Sequence, residues 1–194
     1  MGNDFTTSLR PAIVLTILFA ALLGIGYPLA MTGIGQAIFP TQANGSLVRD
    51  GTGKVIGSTV VGQAFASDRY FQTRPSAAGK GYDGLASGGS NLGPAAKALV
   101  DRVKPDVAKR HAEGVTTIPA DLVTASGSGL DPDLSPAAAL AQAPRIAKVR
   151  GLSVERVQSL VDAQVEHPLL GVVGEDRVNV FALNRELDRV GRAH

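Results

Sequence analysis

Few residues in this sequence could carry chemistry, and their spacing argues against most of it. Gly79-Lys80-Gly81-Tyr82-Asp83-Gly84 spells the G-x-G-x-x-G pattern of dinucleotide binding. That chemistry needs a strand before the glycines and a helix after them, so that the helix N-terminus meets the phosphates. Arg74-Pro75-Ser76-Ala77 precedes the pattern and a Ser/Gly loop follows it, so a chance match is expected. A P-loop is absent, because Arg74 stands where its first Gly belongs and Gly81 follows Lys80. Asp131-Pro132-Asp133 opens like a calcium loop, but Pro136 occupies the Gly position and Gln142 that of the bidentate Glu. Ser126 and Ser128 sit in a Gly/Ser-rich loop without a Gly-x-Ser-x-Gly elbow or a neighbouring His. His111, His167 and His194 form no ligand pair of the kind zinc uses, and there are no cysteines for thiolate sites or disulfides. Neither a metal site nor a cofactor is expected from any motif.

Composition narrows the class further. The 194 residues suffice for one anchor and one compact domain. Nineteen basic and seventeen acidic residues are scattered, there is no Trp, and aromatics make up 5% of the chain. A nucleic-acid binder concentrates its Lys and Arg and interleaves aromatics, so no nucleic-acid partner is expected.

The elements that would position these residues begin with a membrane segment. No Asp, Glu, Lys, Arg or His lies between Arg10 and Arg49. A spanning helix takes about 20 apolar residues to cross a core of about 30 Å, and residues 11–32 meet that requirement as a helix whose backbone satisfies itself in lipid. A cleaved signal peptide has an apolar core of only about 7–15 residues, so the length favours an anchor, with membrane lipid as its surroundings. Pairs four apart, Ala20 with Gly24 and Gly26 with Ala30, form a small-residue spacing that lets another helix approach closely. Arg10 on a short N-terminus hints at a positive-inside orientation with the following domain outside. The expected organisation is a tail at 1–10, a transmembrane helix at 11–32, a linker at 33–45 and a soluble domain at 46–194.

Within that domain, two β-rich runs around Gly51-Thr52-Gly53 read as a hairpin, and 65–93 reads as a long irregular stretch. Helices are expected over 94–113, kinked or divided at Pro105, over 136–150 after a Ser135 cap, and over 154–166 after a Ser153 cap. Residues 119–124 suit a strand or a helical turn, 178–183 a strand and 184–190 a short helix. The fold class is α+β, one N-terminal transmembrane helix followed by a single loop-rich soluble domain.

Five stretches look specified: residues 71–77, 87–94, 119–132, 144–153 and 177–184. Arg74 and Arg145 can fork to a carboxylate such as Asp121 or Asp131, while Ser, Asn and Asp residues there can turn and cap backbone. Arg74, Asn91, Asp121, Ser126, Asp131 and Arg145 are accordingly the candidate partner-contacting or loop-fixing positions.

In this order behind one N-terminal span, the stretches resemble the KdpC family of potassium-pump subunits. The most specific part is Thr124-Ala125-Ser126-Gly127-Ser128-Gly129-Leu130-Asp131-Pro132, followed by Phe71-Gln72-Thr73-Arg74-Pro75-Ser76-Ala77 and Ser87-Gly88-Gly89-Ser90-Asn91. The resemblance implies a non-catalytic accessory subunit of an ATP-driven K+ uptake pump in the plasma (inner) membrane. Its partners would be a channel-like K+-selecting subunit, a P-type ATPase subunit and a small single-span peptide. It also implies a catalytic-chaperone role that raises the ATP affinity of the ATPase subunit, with ATP met only through that subunit. An extracytoplasmic domain would sit awkwardly with direct ATP contact and would favour a structural and gating role. The rival expectations are a membrane-tethered serine hydrolase using Ser126 or Ser128 and a tethered solute-binding domain.

Overall fold

A computed structural model describes residues 2–168, 171 and 173–191, and divides into two compact units, Met1–Leu47 and Val48–His194.

The first unit is dominated by one helical run. Its apolar residues need no tertiary partner to form a helix, because every amide can pair within the run. The run comprises α1 (Gly2–Ala21), a π turn (Leu22–Gly26) and α2 (Tyr27–Ile38). Thr7–Ile38 is 32 residues long, contains an 18-residue stretch of mean hydropathy 2.2 with no buried residue, and is long and apolar enough to cross a membrane. The π turn has a local cause. Pro28 has no N–H for the carbonyl four residues back and its ring crowds that carbonyl. The preceding turn widens, and Tyr27 N–H bonds Leu22 O, five residues back. A one-turn helix, α3 (Pro40–Ala43), follows, and Asn44 Nδ2 donates to Gln36 Oε1 at 2.9 Å.

The second unit mixes helices with two small sheets. The expected hairpin forms as β1 (Leu47–Arg49) and β2 (Val55–Ser58). Asp50 closes its turn by accepting from Thr52 N at 2.8 Å and Lys54 N at 3.1 Å. No helix or strand then occurs until α4 (Lys97–Ala112). Pro105 neither divides nor ends α4. Both it and Asp101, whose carbonyl loses its partner, face solvent, where water replaces the missing bond. Residues 120–122 form a 3-10 turn, the helical alternative for that segment. Then come β3 (Asp133–Leu134), α5 (Pro136–Arg150), α6 (Val154–Asp162), β4 (Val165–Glu166), β5 (Arg177–Asn179) and α7 (Val180–Gly191).

Ser135 and Ser153 cap α5 and α6, each hydroxyl accepting the amide three residues on, from Ala138 at 3.1 Å and from Arg156 at 3.2 Å. Gly151 ends α5 at φ = 68°, a conformation glycine reaches without a Cβ penalty. Helix α4 runs Lys97–Ala112 rather than over 94–113, and two later boundaries also differ from the sequence expectation. Helix α6 stops at Asp162, and Val165 pairs with Val178 in an antiparallel sheet ordered β3-β5-β4. The strand expected over 178–183 ends at Asn179, and α7 takes the remainder. Val180, Leu183 and Leu187 share one helical face and are fully buried, and Asn179 Oδ1 caps Ala182 N at 3.0 Å. Burying each such side chain contributes about 1.5–3 kcal/mol, which outweighs the mild strand preference of a Val-Asn-Val-Phe run. The core gathers these residues with Ile146, Val157, Val161, Val178, Leu134, Leu122 and Phe71. Phe71 is the contribution of the long irregular segment.

Candidate functional site

The specified loops meet each other. Arg74 Nη1 lies 3.0 Å from Asp131 Oδ2, with Arg74 Nε and Nη2 each 3.4 Å from Thr124 oxygens. Two residues on, Ser76 Oγ donates to Gly129 O at 2.6 Å and accepts from Tyr82 N at 2.7 Å. Ser87 Oγ and Gly88 N both donate to Ser128 O, at 3.0 and 2.9 Å. Gly129 is required at this crossing: its φ is 67°, and a Cβ there would lie 2.6 Å from Ala78 N and 2.7 Å from Gly88 O. Gly79–Gly84 is a turn inside this assembly, with no strand leading into it after Ser58 and no helix until Lys97. It therefore lacks the geometry that brings phosphates to a helix N-terminus.

Of the six candidate positions, Arg74, Asp121 and Asp131 come together on one cleft of about 650 Å3, which Asp133, Ser135, Glu175, Asp176 and Arg177 also line. Asp121 Oδ2 accepts Ser135 N at 2.7 Å and so fastens the start of α5 to the 3-10 turn. Asp131 Oδ1 accepts Asp133 N at 3.1 Å while its other oxygen holds Arg74. Burial pushes the Asp133 carboxyl above its ordinary pKa; the hydrogen bond from Asn179 opposes this and the charge of Asp131 adds to it. Five carboxylates against two guanidinium groups make the cleft acidic, suited to cationic side chains. Among the described residues, no group of three or more His, Asp or Glu side chains is placed to hold a metal ion.

The other three candidates lie elsewhere. Ser126 Oγ accepts Gly129 N at 3.0 Å and stands 3.4 Å from Ser128 Oγ. The described histidines are engaged away from it: His111 Nδ1 is 2.9 Å from Val115 O and His167 Nδ1 is 2.8 Å from Asp176 Oδ1. His194 lies outside the described residues. Asn91 is exposed at φ = 52°, a left-handed conformation that Asn tolerates better than most residues. Arg145 ties the loop to α5 by donating to Asp68 O at 2.5 Å, Tyr70 O at 3.1 Å and Gln142 Oε1 at 2.8 Å. Burial lowers its pKa, and the charges of Glu113 and Asp68 offset part of that. Both carboxylates stand 3.8 Å from the guanidinium. Ala20, Gly24, Gly26 and Ala30 are exposed on the apolar helix, with nothing within 4 Å of a Cβ built at Gly24.

Two residues central to holding the loops are not among the six candidate positions, although Asn184 closes the specified stretch 177–184. Gln142 accepts Gln72 N at 2.8 Å and donates to Gln72 O at 3.0 Å, and Asn184 does the same for Phe71 N and O at 2.8 and 3.0 Å. Both amides are at least 98% buried. Their signal was available: each is a polar residue on the apolar face of a helix, which demands a specific partner.

A family profile described as "KdpC: K+-transporting ATPase, c chain" matches residues 9–189. The "Potassium-transporting ATPase KdpC subunit" of Caulobacter vibrioides (strain NA1000 / CB15N) is 60% identical over 181 residues, covering 93% of this chain and 92% of the relative. The proteins of that name from Caulobacter sp. (strain K31) and Myxococcus xanthus are 57% and 50% identical, over 96% and 97% of this chain and 95% and 89% of theirs. The matched region takes in both the apolar helix and the interlocked loops, and the chain belongs to the KdpC family of K+-transporting ATPase subunits.

Proposed function

We propose that the chain is the non-catalytic accessory subunit of an ATP-driven K+ uptake pump, anchored in the inner membrane by Thr7–Ile38. Residues from Val48 onward lie on the extracytoplasmic side, a reading supported by the positive charge of Arg10 ahead of the span. The chain assembles and stabilises a complex with a channel-like K+-selecting subunit, a P-type ATPase subunit and a small single-span peptide. The observation that carries this reading is the family match over residues 9–189, which covers helix and folded unit together. Its effect on ATP affinity is exerted through the ATPase subunit, in keeping with a Gly79–Gly84 segment that does not lead directly into a helix N-terminus.

A reporter fused after His194 tests the topology: activity confined to the outside is expected, and cytoplasmic activity overturns the outside placement. Affinity purification through this chain is expected to recover the other three subunits. With the chain deleted, the ATPase subunit is expected to need more ATP for half-maximal turnover; an unchanged KM for ATP overturns the chaperone role while leaving the assembly role standing.

A further inference from the structure

A second cleft, of about 340 Å3, lies where residues 64–76 meet α4. Phe65, Pro75 and Leu122 give it apolar walls, and Gln72, Lys109 and Arg110 are its nitrogen-bearing side chains. Its hydroxyls are already committed: Thr73 Oγ1 donates to Gln63 O at 2.9 Å, Ser76 Oγ to Gly129 O at 2.6 Å and Tyr82 Oη to Arg74 O. The nitrogens are not. Gln72 is 7% exposed, and its Oε1 accepts Lys109 Nζ at 3.0 Å. That bond orients the amide, and among the described residues Gln72 Nε2 has no acceptor. Arg110 is 6% exposed; its Nη1 donates to Glu113 at 2.9 Å, while its Nε is buried without a partner. Native interiors pair such groups, so each one left over calls for a ligand or a reason.

Positive charge is in excess at the same place. Three cations share the Glu113 carboxylate: Arg110 Nη1 at 2.9 Å, Arg145 Nε at 3.8 Å and Lys109 Nζ at 3.9 Å. Asp68 offers Arg145 a second carboxylate at 3.8 Å, but it is 65% exposed and screened by solvent. Burial lowers the Arg145 pKa, and the charge of Arg110 lowers it further. Asp106 also lines the cleft, and no ion pair joins it to Lys109 or Arg110 among the described residues. Partly buried cations with one carboxylate among three are stabilised by a further anion. Asp106 and the walls select its type. A doubly charged ligand would be repelled by Asp106, whereas a single carboxylate on an apolar stem matches both the donors and the lining.

We propose that this cleft is a carboxylate-binding site in which Gln72 Nε2 and Lys109 Nζ donate to the carboxylate, Arg110 adds charge beside them, and Phe65, Pro75 and Leu122 receive the stem. The ligand class is a monocarboxylate on a short aliphatic chain, supplied as a free solute or as an acidic side chain of a neighbouring protein. The site is built from this chain alone and does not depend on the subunit reading above.

The test is NMR on the full-length chain in detergent micelles, 15N-labelled at glutamine side chains and titrated with propionate at constant pH and ionic strength. A saturable shift of the Gln72 side-chain resonance is expected, together with saturation transfer to the propionate methyl. Propionamide, the neutral isostere, is expected to give neither. Lys109→Met and Gln72→Glu are each expected to weaken propionate binding about tenfold or more. Both should leave the far-UV circular dichroism unchanged, because Lys109 is half-exposed and the Glu keeps the shape of Gln72 while turning the donor into a competing carboxylate. A response that rises without saturating, that propionamide reproduces, or that survives both substitutions overturns the proposal. The same titration on the assembled pump separates the two sources. Transfer that disappears on assembly, with a zero-length carbodiimide cross-link from Lys109 Nζ to another subunit, assigns the carboxylate to an acidic side chain. Transfer that persists assigns it to a free solute.

Discussion

Two regions of the folded unit reach order by opposite means. The segment from β3 to α7 is held by apolar surface: Leu134, Ile146, Val157, Val161, Val178, Leu183 and Leu187 interlock, each no more than 2% exposed. The segment between β2 and α4, with its partner loop at 124–132, contributes one large fully buried side chain, Phe71. It is otherwise fixed by side chains reaching backbone: Gln142, Asn184, Arg145, Ser76 and Ser87. The comparison teaches where tolerance to change resides. An apolar core loses stability in proportion to the volume removed, whereas a hydrogen-bonded loop loses it in steps, each set by whether the abandoned group is buried or wet.

The largest effect should come from the core. Leu183→Ala is expected to lower unfolding free energy by about 2–5 kcal/mol, read from denaturant titration of the full chain in detergent by tyrosine fluorescence. Next is the hinge between the two regions. Asn184→Leu keeps the apolar face but strands the N–H and C=O of the fully buried Phe71. The expected loss is about 2–4 kcal/mol, since each orphaned buried group costs about 1–3 kcal/mol. A neutral Asn184→Leu would erase the distinction between the regions. Smaller still is the Arg74–Asp131 pair, whose side chains are 25% and 29% exposed. A double-mutant cycle with Arg74→Ala and Asp131→Ala is expected to give a coupling near or below about 1 kcal/mol. A coupling several times larger would mean that this loop is held electrostatically.

The smallest and most specific effect is on pH. Burial raises the folded-state pKa of Asp133 above its ordinary 3.8. Its contribution to stability is therefore fully present below that value and lost as pH rises through the raised one. Asp133→Asn removes the loss, so the variant's melting temperature should gain on the wild type as pH climbs from below 4 toward neutrality. A gap that stays constant or reverses would show that Arg177, 3.4 Å away, outweighs burial.

Capping and punctuation made the helix starts legible from sequence: Ser135 before Pro136 and Ser153 before Val154 mark real ends because they act within four residues. The helix–strand exchange at 162–166 and 178–183 was not legible. Val165 and Val178 belong to a sheet only because they face each other across 13 residues of chain, and local propensity contains no such information. Among the candidate positions, the pairing of Arg74 with Asp131 follows from residue chemistry, but its choice over Asp121 does not. Asp121 is taken up by Ser135 N, a contact that exists only once α5 has docked.

What the sequence determined by itself is what local forces decide: an uncharged run long enough to span a membrane as a helix, and the caps and glycine stops. The tertiary structure alone decided how a Gly/Ser-rich segment without period becomes ordered. Its backbone polar groups needed buried partners, and Gln142 and Asn184 supply them from helices about 70 and 113 residues downstream. Hydrogen bonds over that separation depend on three-dimensional packing, which no local pattern encodes.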